Sequence, residues 1–303
     1  MDLLKRAWYQ IAFERDFLKK KGGTFQDFFS EIMEKRYKGD FIRVRPWGNV
    51  GDRKNDGYLP SKRLLFQVYA PNELAAAEAV KKIDEDFHGA LPHWKDHFGT
   101  WVFVHNSRIG LGPDVTKTLL DLAKPDGPKV TSWGFEELCA EALSLEEDDL
   151  VSLLGFTAPT DAQARDVSFN DLKLVLMSIA RQPVTPDREV RPVPPEKLAE
   201  SNLSEGPSFL LKLGMLKSDR VAKFFESWPD PQFGNQVVES FRQEYLILRR
   251  TAISPDEAFQ ELLAFAGGLD GKTSEHPGAV LAVLAYLFEE CEIFGKPPEE
   301  DSP

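Results

Sequence analysis

Residues 51–71 read Gly51-Asp52-Arg53-Lys54-Asn55-Asp56-Gly57-Tyr58, then Leu59-Pro60-Ser61-Lys62-Arg63, then Leu64-Leu65-Phe66-Gln67-Val68-Tyr69-Ala70-Pro71. An acidic, glycine-punctuated turn runs through a short connection into an apolar strand. Alternation places Leu64, Phe66, Val68 and Ala70 on one face of that strand, and Leu65, Gln67 and Tyr69 on the other. Gln67 is a polar residue inside an apolar run. Left unpaired and buried, it would cost about 1–3 kcal/mol, so it is expected to have a partner.

Outward from this stretch, the pattern predicts an α/β unit. Thr24 with Asp27 three residues on gives a capping-box-like start to a helix over 24–37, with Phe25, Phe28, Phe29, Ile32 and Met33 at helical spacing. An earlier helix is expected over 2–20. Strands are expected at 41–45, stopped by Pro46, at 55–59 and at 64–70. A helix from Pro71-Asn72 to about Phe87 follows, then a strand at 101–105, a helix near 114–123, a strand at 129–133 and a helix near 134–143.

Residues 144–182 read as a helical extension. Pro183, Pro186, Pro192, Pro194 and Pro195 then crowd 183–195, which excludes regular helix and predicts an extended linker. The expected organisation is an α/β domain with its extension over 1–182, a linker over 183–195, and an all-helical domain over 196–303. Ser254-Pro255-Asp256-Glu257 is a good helix start. The run from Ala279 to Phe288 is apolar on every side, as a central or interface helix would be.

Composition bounds the function. The chain has 303 residues, 42% of them hydrophobic and 22 of them Phe against six Tyr, enough for a dense aromatic core. No apolar run approaches the roughly 20 residues of a membrane span, and Met1-Asp2-Leu3-Leu4-Lys5-Arg6 opens no signal-peptide core. Cys139 and Cys291 stand far apart and read as reduced thiols of a cytoplasmic protein. Net charge is −12, unlike a protein that coats DNA passively. Residues 35–63 are nonetheless basic, with Lys35, Arg36, Lys38, Arg43, Arg45, Arg53, Lys54, Lys62 and Arg63 against Asp40, Asp52 and Asp56. This fits either one DNA-contacting face or a solvated charged surface.

Phosphodiester hydrolysis needs an activated water and charge neutralisation at the phosphate, which one or two Mg²⁺ ions held by carboxylates supply. Asp56 is the best candidate ligand, because Gly57 lets its turn face the next strand. Gln67 would offer an amide oxygen to the same ion, and Glu31 or Glu34 on the preceding helix a further carboxylate. Asp52 reads as a structural turn residue. His88, His93, His97 and His105 lack the spacing of a metal site, and Gly110 and Gly112 have no following Gly-Lys-Ser/Thr and mark a plain turn.

The helix–strand–turn–strand order, with an Asp-Gly turn before a Gln-centred strand, resembles the restriction-endonuclease fold. The resemblance implies an α/β restriction-endonuclease-like domain followed by an all-α C-terminal domain. Its motif is an acid, then on the next strand Asp/Glu or Gln, any residue, and Lys. Asp56 and Gln67 match, while the lysine position holds Tyr69. Lys62 is a candidate substitute, about 17 Å from Gln67 along an ideal strand, a distance that the turn would have to fold back. Lys54, Lys81 and Lys82 are others.

A second resemblance covers more of the chain. Phe25-Gln26-Asp27-Phe28-Phe29-Ser30-Glu31-Ile32-Met33, Arg45-Pro46-Trp47-Gly48, Gly51 to Tyr58, Phe66 to Pro71, and the ending Leu284-Ala285-Tyr286-Leu287-Phe288-Glu289-Glu290-Cys291-Glu292-Ile293-Phe294 resemble proteins of ABC-three-component anti-phage systems, among them the Lamassu type. This implies a defence effector fused to a helical adaptor, to which the first resemblance adds magnesium-dependent endonuclease chemistry at Asp56, Gln67, Glu31 and Lys62. The implied partners are an SMC-like ATPase, a small middle component, DNA and further copies of the chain. A catalytically degenerate adaptor in the same kind of complex is the alternative.

Overall fold

The computed structural model describes residues 1–45, 53–155, 157–160, 164, 167–181, 202–251, 253–268 and 277–290. The chain forms two compact units. Phe13–Gly155 make one; Met1–Ala12 with Phe156–Pro303 make the other. Helix α1, Leu3–Lys19, contributes residues to both.

The first unit holds α2 (Gly22–Arg36), β1 (Ile42–Arg43), β2 (Gly57–Leu59), β3 (Leu64–Tyr69), α3 (Ala76–Trp94), β4 (Thr100–His105), α4 (Pro113–Leu122), β5 (Lys129–Trp133), α5 (Phe135–Leu143) and α6 (Glu147–Leu154). The mixed sheet has the order β1-β2-β3-β4-β5. β1, β2 and β3 pair antiparallel, and β3, β4 and β5 parallel. The expected succession of helices and strands along the chain is present. Boundaries moved where local chemistry decides them. Helix α2 starts at Gly22, and Thr24 sits inside its first turn, accepting from the Lys21 N–H at 3.1 Å and donating to the Lys21 carbonyl at 2.7 Å. Helix α3 starts later than expected and carries Pro92 in its last turn, at the cost of one backbone donor.

The alternation read in 64–70 sorts the two faces of the sheet. Phe66 meets Phe29, Phe41 and Trp133, and Phe135 of α5 packs on Phe13 and Phe17. On the other face, Leu65, Trp101 and Phe103 share a buried cluster with Ala79, Ile83, Phe87 and Ala90 of α3 and Val115 and Leu119 of α4. Each large apolar side chain buried here contributes about 1.5–3 kcal/mol. Glu14 is a charge buried among them, 1% exposed and bound by Arg108 Nε, whose guanidinium lies 3.8 Å over the Phe135 ring. Arg108→Leu takes this cation from a buried carboxylate, and urea unfolding is expected to show a loss of about 3 kcal/mol. A loss below about 1 kcal/mol would contradict that account.

The second unit holds α7 (Phe169–Ala180), α8 (Glu205–Met215), α9 (Ser218–Ser227), α10 (Phe233–Arg250), α11 (Pro255–Phe265) and α12 (Pro277–Glu290). Ser168 and Ser254 start α7 and α11 with capping boxes to Asp171 and Glu257. Val280, Ala282, Val283, Ala285 and Leu287 of α12 are all fully buried, so the apolar helix is central to this unit. The N-terminal residues join it through Tyr9, whose hydroxyl accepts from the Ala158 N–H, and through Ile11, whose carbonyl accepts from the Gln260 amide. The division at Gly155 differs from the expected boundary at 183–195. Gly155 ends α6 with a left-handed φ of 85°, and α7 packs with α9, α10 and α12 rather than extending the α/β unit. The proline-rich stretch lies outside the described residues.

Candidate functional site

Asp56 stitches three strands together. Its carbonyl accepts from the Val44 N–H at 3.2 Å, and its own N–H donates to the Phe66 carbonyl at 2.9 Å. One carboxylate oxygen accepts from the Val68 N–H at 2.7 Å, and the other from the Gln26 amide of α2 at 3.4 Å. Its bonds to residues 66 and 68 straddle Gln67 along β3. Gln67 is 4% exposed, and its Oε1 has no hydrogen-bond partner among the described residues. The partner expected for this amide oxygen is therefore missing from the protein atoms described.

Asn55 adds a feature that sequence reading missed. It is fully buried, its Oδ1 accepts from the Gly57 N–H at 2.8 Å, and its Nδ2 has no partner among the described residues. The side chain builds the turn that precedes β2. The signal was the Asn-Asp-Gly triplet itself. Gly57 is required there, because a Cβ would lie 2.7 Å from Phe41 Cε2. Gln26 was also missed; it is the residue that α2 presents to Asp56.

The other candidates sit elsewhere. Glu31 lies 3.6 Å from Lys35, in a groove lined by Asp27, Glu34, Lys38, Arg43 and Arg45 that Asp56 and Gln67 do not line. At ~100° per residue, five positions turn Glu31 away from Gln26. Lys62 ends a short 3₁₀ turn; its amine donates to the Tyr37 hydroxyl at 2.8 Å and lies 4.6 Å over that ring. Straight-strand alternation puts Lys62, five residues before Gln67, on the opposite face, and Arg63, with φ 52°, interrupts the strand between them. Tyr69 packs on Phe103, and burial raises its hydroxyl pKa, helped by Glu78. Arg53 and Lys54 take left-handed φ values of 53° and 60°. Lys54 reaches Asp86 of α3 at 2.9 Å, and Lys82 meets the same fully buried carboxylate at 2.9 Å. Lys81 pairs with Glu85 at 3.8 Å. Asp52 lies outside the described residues.

The donor set suits a hard cation only sparely. Among the described residues, no group of three or more His, Cys, Asp or Glu side chains is placed to hold a metal. One carboxylate, amide oxygens and waters remain, a combination that Mg²⁺ accepts. The buried acceptor on Gln67 fits such an ion. The basic stretch is largely neutralised. Lys38 lies 2.7 Å from Asp149, raising its own pKa and lowering that of the carboxylate. Arg36 pairs with Glu141 at 3.0 Å, and Arg43 and Arg45 share Asp27.

No curated protein and no solved structure matches the chain. Residues 170–295, from α7 to beyond α12, match the family model of C-terminal domain 10 of the ABC-three component (ABC-3C) systems, so the helical unit carries the likeness to a C-terminal domain of these multi-component systems.

Proposed function

We propose that the chain is a Lamassu-type ABC-three-component anti-phage effector, a cytoplasmic DNA endonuclease of restriction-endonuclease-like fold. The family match over residues 170–295 carries the assignment to such a system. The helical unit docks on an SMC-like ATPase and a small middle component, and the α/β unit meets DNA. Asp56 and Gln67 hold Mg²⁺, with water completing the coordination and Gln26 orienting the Asp56 carboxylate. A bound Mg²⁺ supplies charge neutralisation at the phosphate and a more acidic water. The orphaned Gln67 Oε1 supports this reading, since a buried acceptor is ordinarily satisfied.

A second reading, an adaptor that binds DNA or protein without cutting, has its own support. Tyr69 stands at the lysine position, and the amines of Lys54 and Lys82 are both drawn to Asp86. The two readings separate in one experiment. The chain, alone and co-purified with the components encoded beside it, is incubated with supercoiled plasmid and Mg²⁺ or Mn²⁺. Nicked or linear product that disappears with EDTA is the expected result. Intact plasmid in every assembly state, with the complex itself formed, would leave the adaptor.

A further inference from the structure

A second cavity lies wholly within the α/β unit, away from Asp56 and Gln67. It opens at the carboxyl ends of the parallel strands β4 and β5. The chain leaves β4 for α4, which packs with α3 on one face of the sheet, and leaves β5 for α5, which packs with α2 on the other. Loops that diverge to opposite faces leave a crevice between them, where open α/β sheets hold ligands. The space measures about 400 Å³, within the range of small-molecule sites.

His105, the last residue of β4, lines this cavity and is 3% exposed. Its Nδ1 accepts from the Ser107 N–H at 3.2 Å. Burial lowers its pKa to about 4, so the ring is neutral at physiological pH. A neutral imidazole with Nδ1 accepting carries its hydrogen on Nε2. That Nε2–H has no partner among the described residues, and it faces Gly134. A Cβ at residue 134 would stand 2.9 Å from Nε2 and 2.6 Å from Cε1, so a side chain there would crowd this edge of the ring.

The rest of the lining defines the guest. Leu119, Leu120 and Val130 form an apolar wall, and the Ser132 hydroxyl lies beside it without a partner among the described residues. The charges do not favour an anion. Arg108 is committed to the buried Glu14, Glu137 accepts from the Gly134 N–H, and Glu136 stands at the mouth, 81% exposed. We infer that this cavity binds an uncharged nucleoside: a base acceptor takes the His105 Nε2–H, the ring lies on the apolar wall, and sugar hydroxyls meet Ser132.

Isothermal titration of the full chain with adenosine, guanosine, cytidine and uridine, and with their 5′-monophosphates, tests this. At least one nucleoside is expected to bind saturably and more tightly than its monophosphate. His105→Phe keeps a ring of similar size against Phe103 and is expected to weaken binding about tenfold or more. In the unaltered chain, the same nucleoside should shift the His105 ring resonances in NMR spectra, which requires no variant to fold. Absence of saturable binding by all four nucleosides overturns the inference. So does tighter binding of the monophosphates, or binding that neither moves the His105 resonances nor weakens in His105→Phe. None of these results bears on plasmid cleavage, so this site and the Asp56 site stand or fall separately.

Discussion

Asp56→Asn is expected to abolish metal-dependent plasmid cleavage, with a loss of roughly a thousandfold or more, equivalent to about 4 kcal/mol of activation free energy. The choice of variant follows from the structure. Asp56→Ala removes the acceptor that holds the Val68 N–H at 2.7 Å, which costs folding stability of about 1–3 kcal/mol as well as chemistry. Asparagine keeps an oxygen for that N–H and removes the charge; its NH₂ replaces the oxygen that accepts from Gln26, whose amide can turn to present its own oxygen. A carboxylate that serves solely as a turn acceptor would tolerate the change, with thermal stability and cleavage both close to those of the unaltered chain. A carboxylate that holds Mg²⁺ would not, because a neutral amide is a far poorer ligand for a hard cation. Gln67→Leu is the complementary variant. It replaces a buried amide with an apolar side chain of similar size, and the orphaned Oε1 makes a gain in stability the expected result. If stability rises while cleavage falls, the buried amide is kept for function. Full cleavage by Asp56→Asn would remove Asp56 from the metal site.

The sequence made some of this site legible and hid the rest for identifiable reasons. Period-two alternation in 64–69 correctly separated Phe66 from Leu65 and Tyr69, because the two faces of β3 meet different helices. The Asp-Gly pair marked the turn before β2, and bonds from Asp56 to the backbone of residues 66 and 68 hold that turn against β3. Lys62 was misplaced because a separation of five residues reverses the face of a strand, and Arg63, with positive φ, interrupts the strand before Gln67. Gln26, rather than Glu31, reaches Asp56 because helix phase, not chemical type, decides which side chain faces a neighbouring turn. The basic stretch could not show its own neutralisation, since Glu141 and Asp149 lie more than a hundred residues downstream of the cations they pair with. The helical unit posed a different problem. Apolar spacing named its helices, but the break at Gly155 and the allegiance of α7 depend on packing that no local pattern encodes.

Gly214→Ala is expected to destabilise the helical unit by about 3 kcal/mol, against the trend for an ordinary helix. In an exposed helix interior the same change stabilises by about 1 kcal/mol, because alanine has less backbone freedom to lose. Gly214 sits in α8, where a Cβ would stand 2.7 Å from the carbonyl carbon of Leu281 and 2.9 Å from the Ala285 Cβ of α12. Both neighbours belong to a helix core, and the nearest atoms are backbone, which cannot rotate away as a side chain tip would. Helix α12 is enclosed, with Leu281 1% exposed and Ala282, Val283 and Ala285 fully buried, so it has little room to retreat. Overpacking of a close-packed core typically costs about 1–3 kcal/mol, and here the lost α8–α12 contact adds to it. Valine should cost more than alanine, with a β-branch added to the same clash. Thermal unfolding followed by circular dichroism reads the sign directly. A raised melting temperature for Gly214→Ala would mean that α8 and α12 do not approach backbone to backbone. A fall of several degrees, deepening with valine, would place that close approach among the interactions holding together the region similar to an ABC-three component C-terminal domain, and partner capture should weaken in parallel.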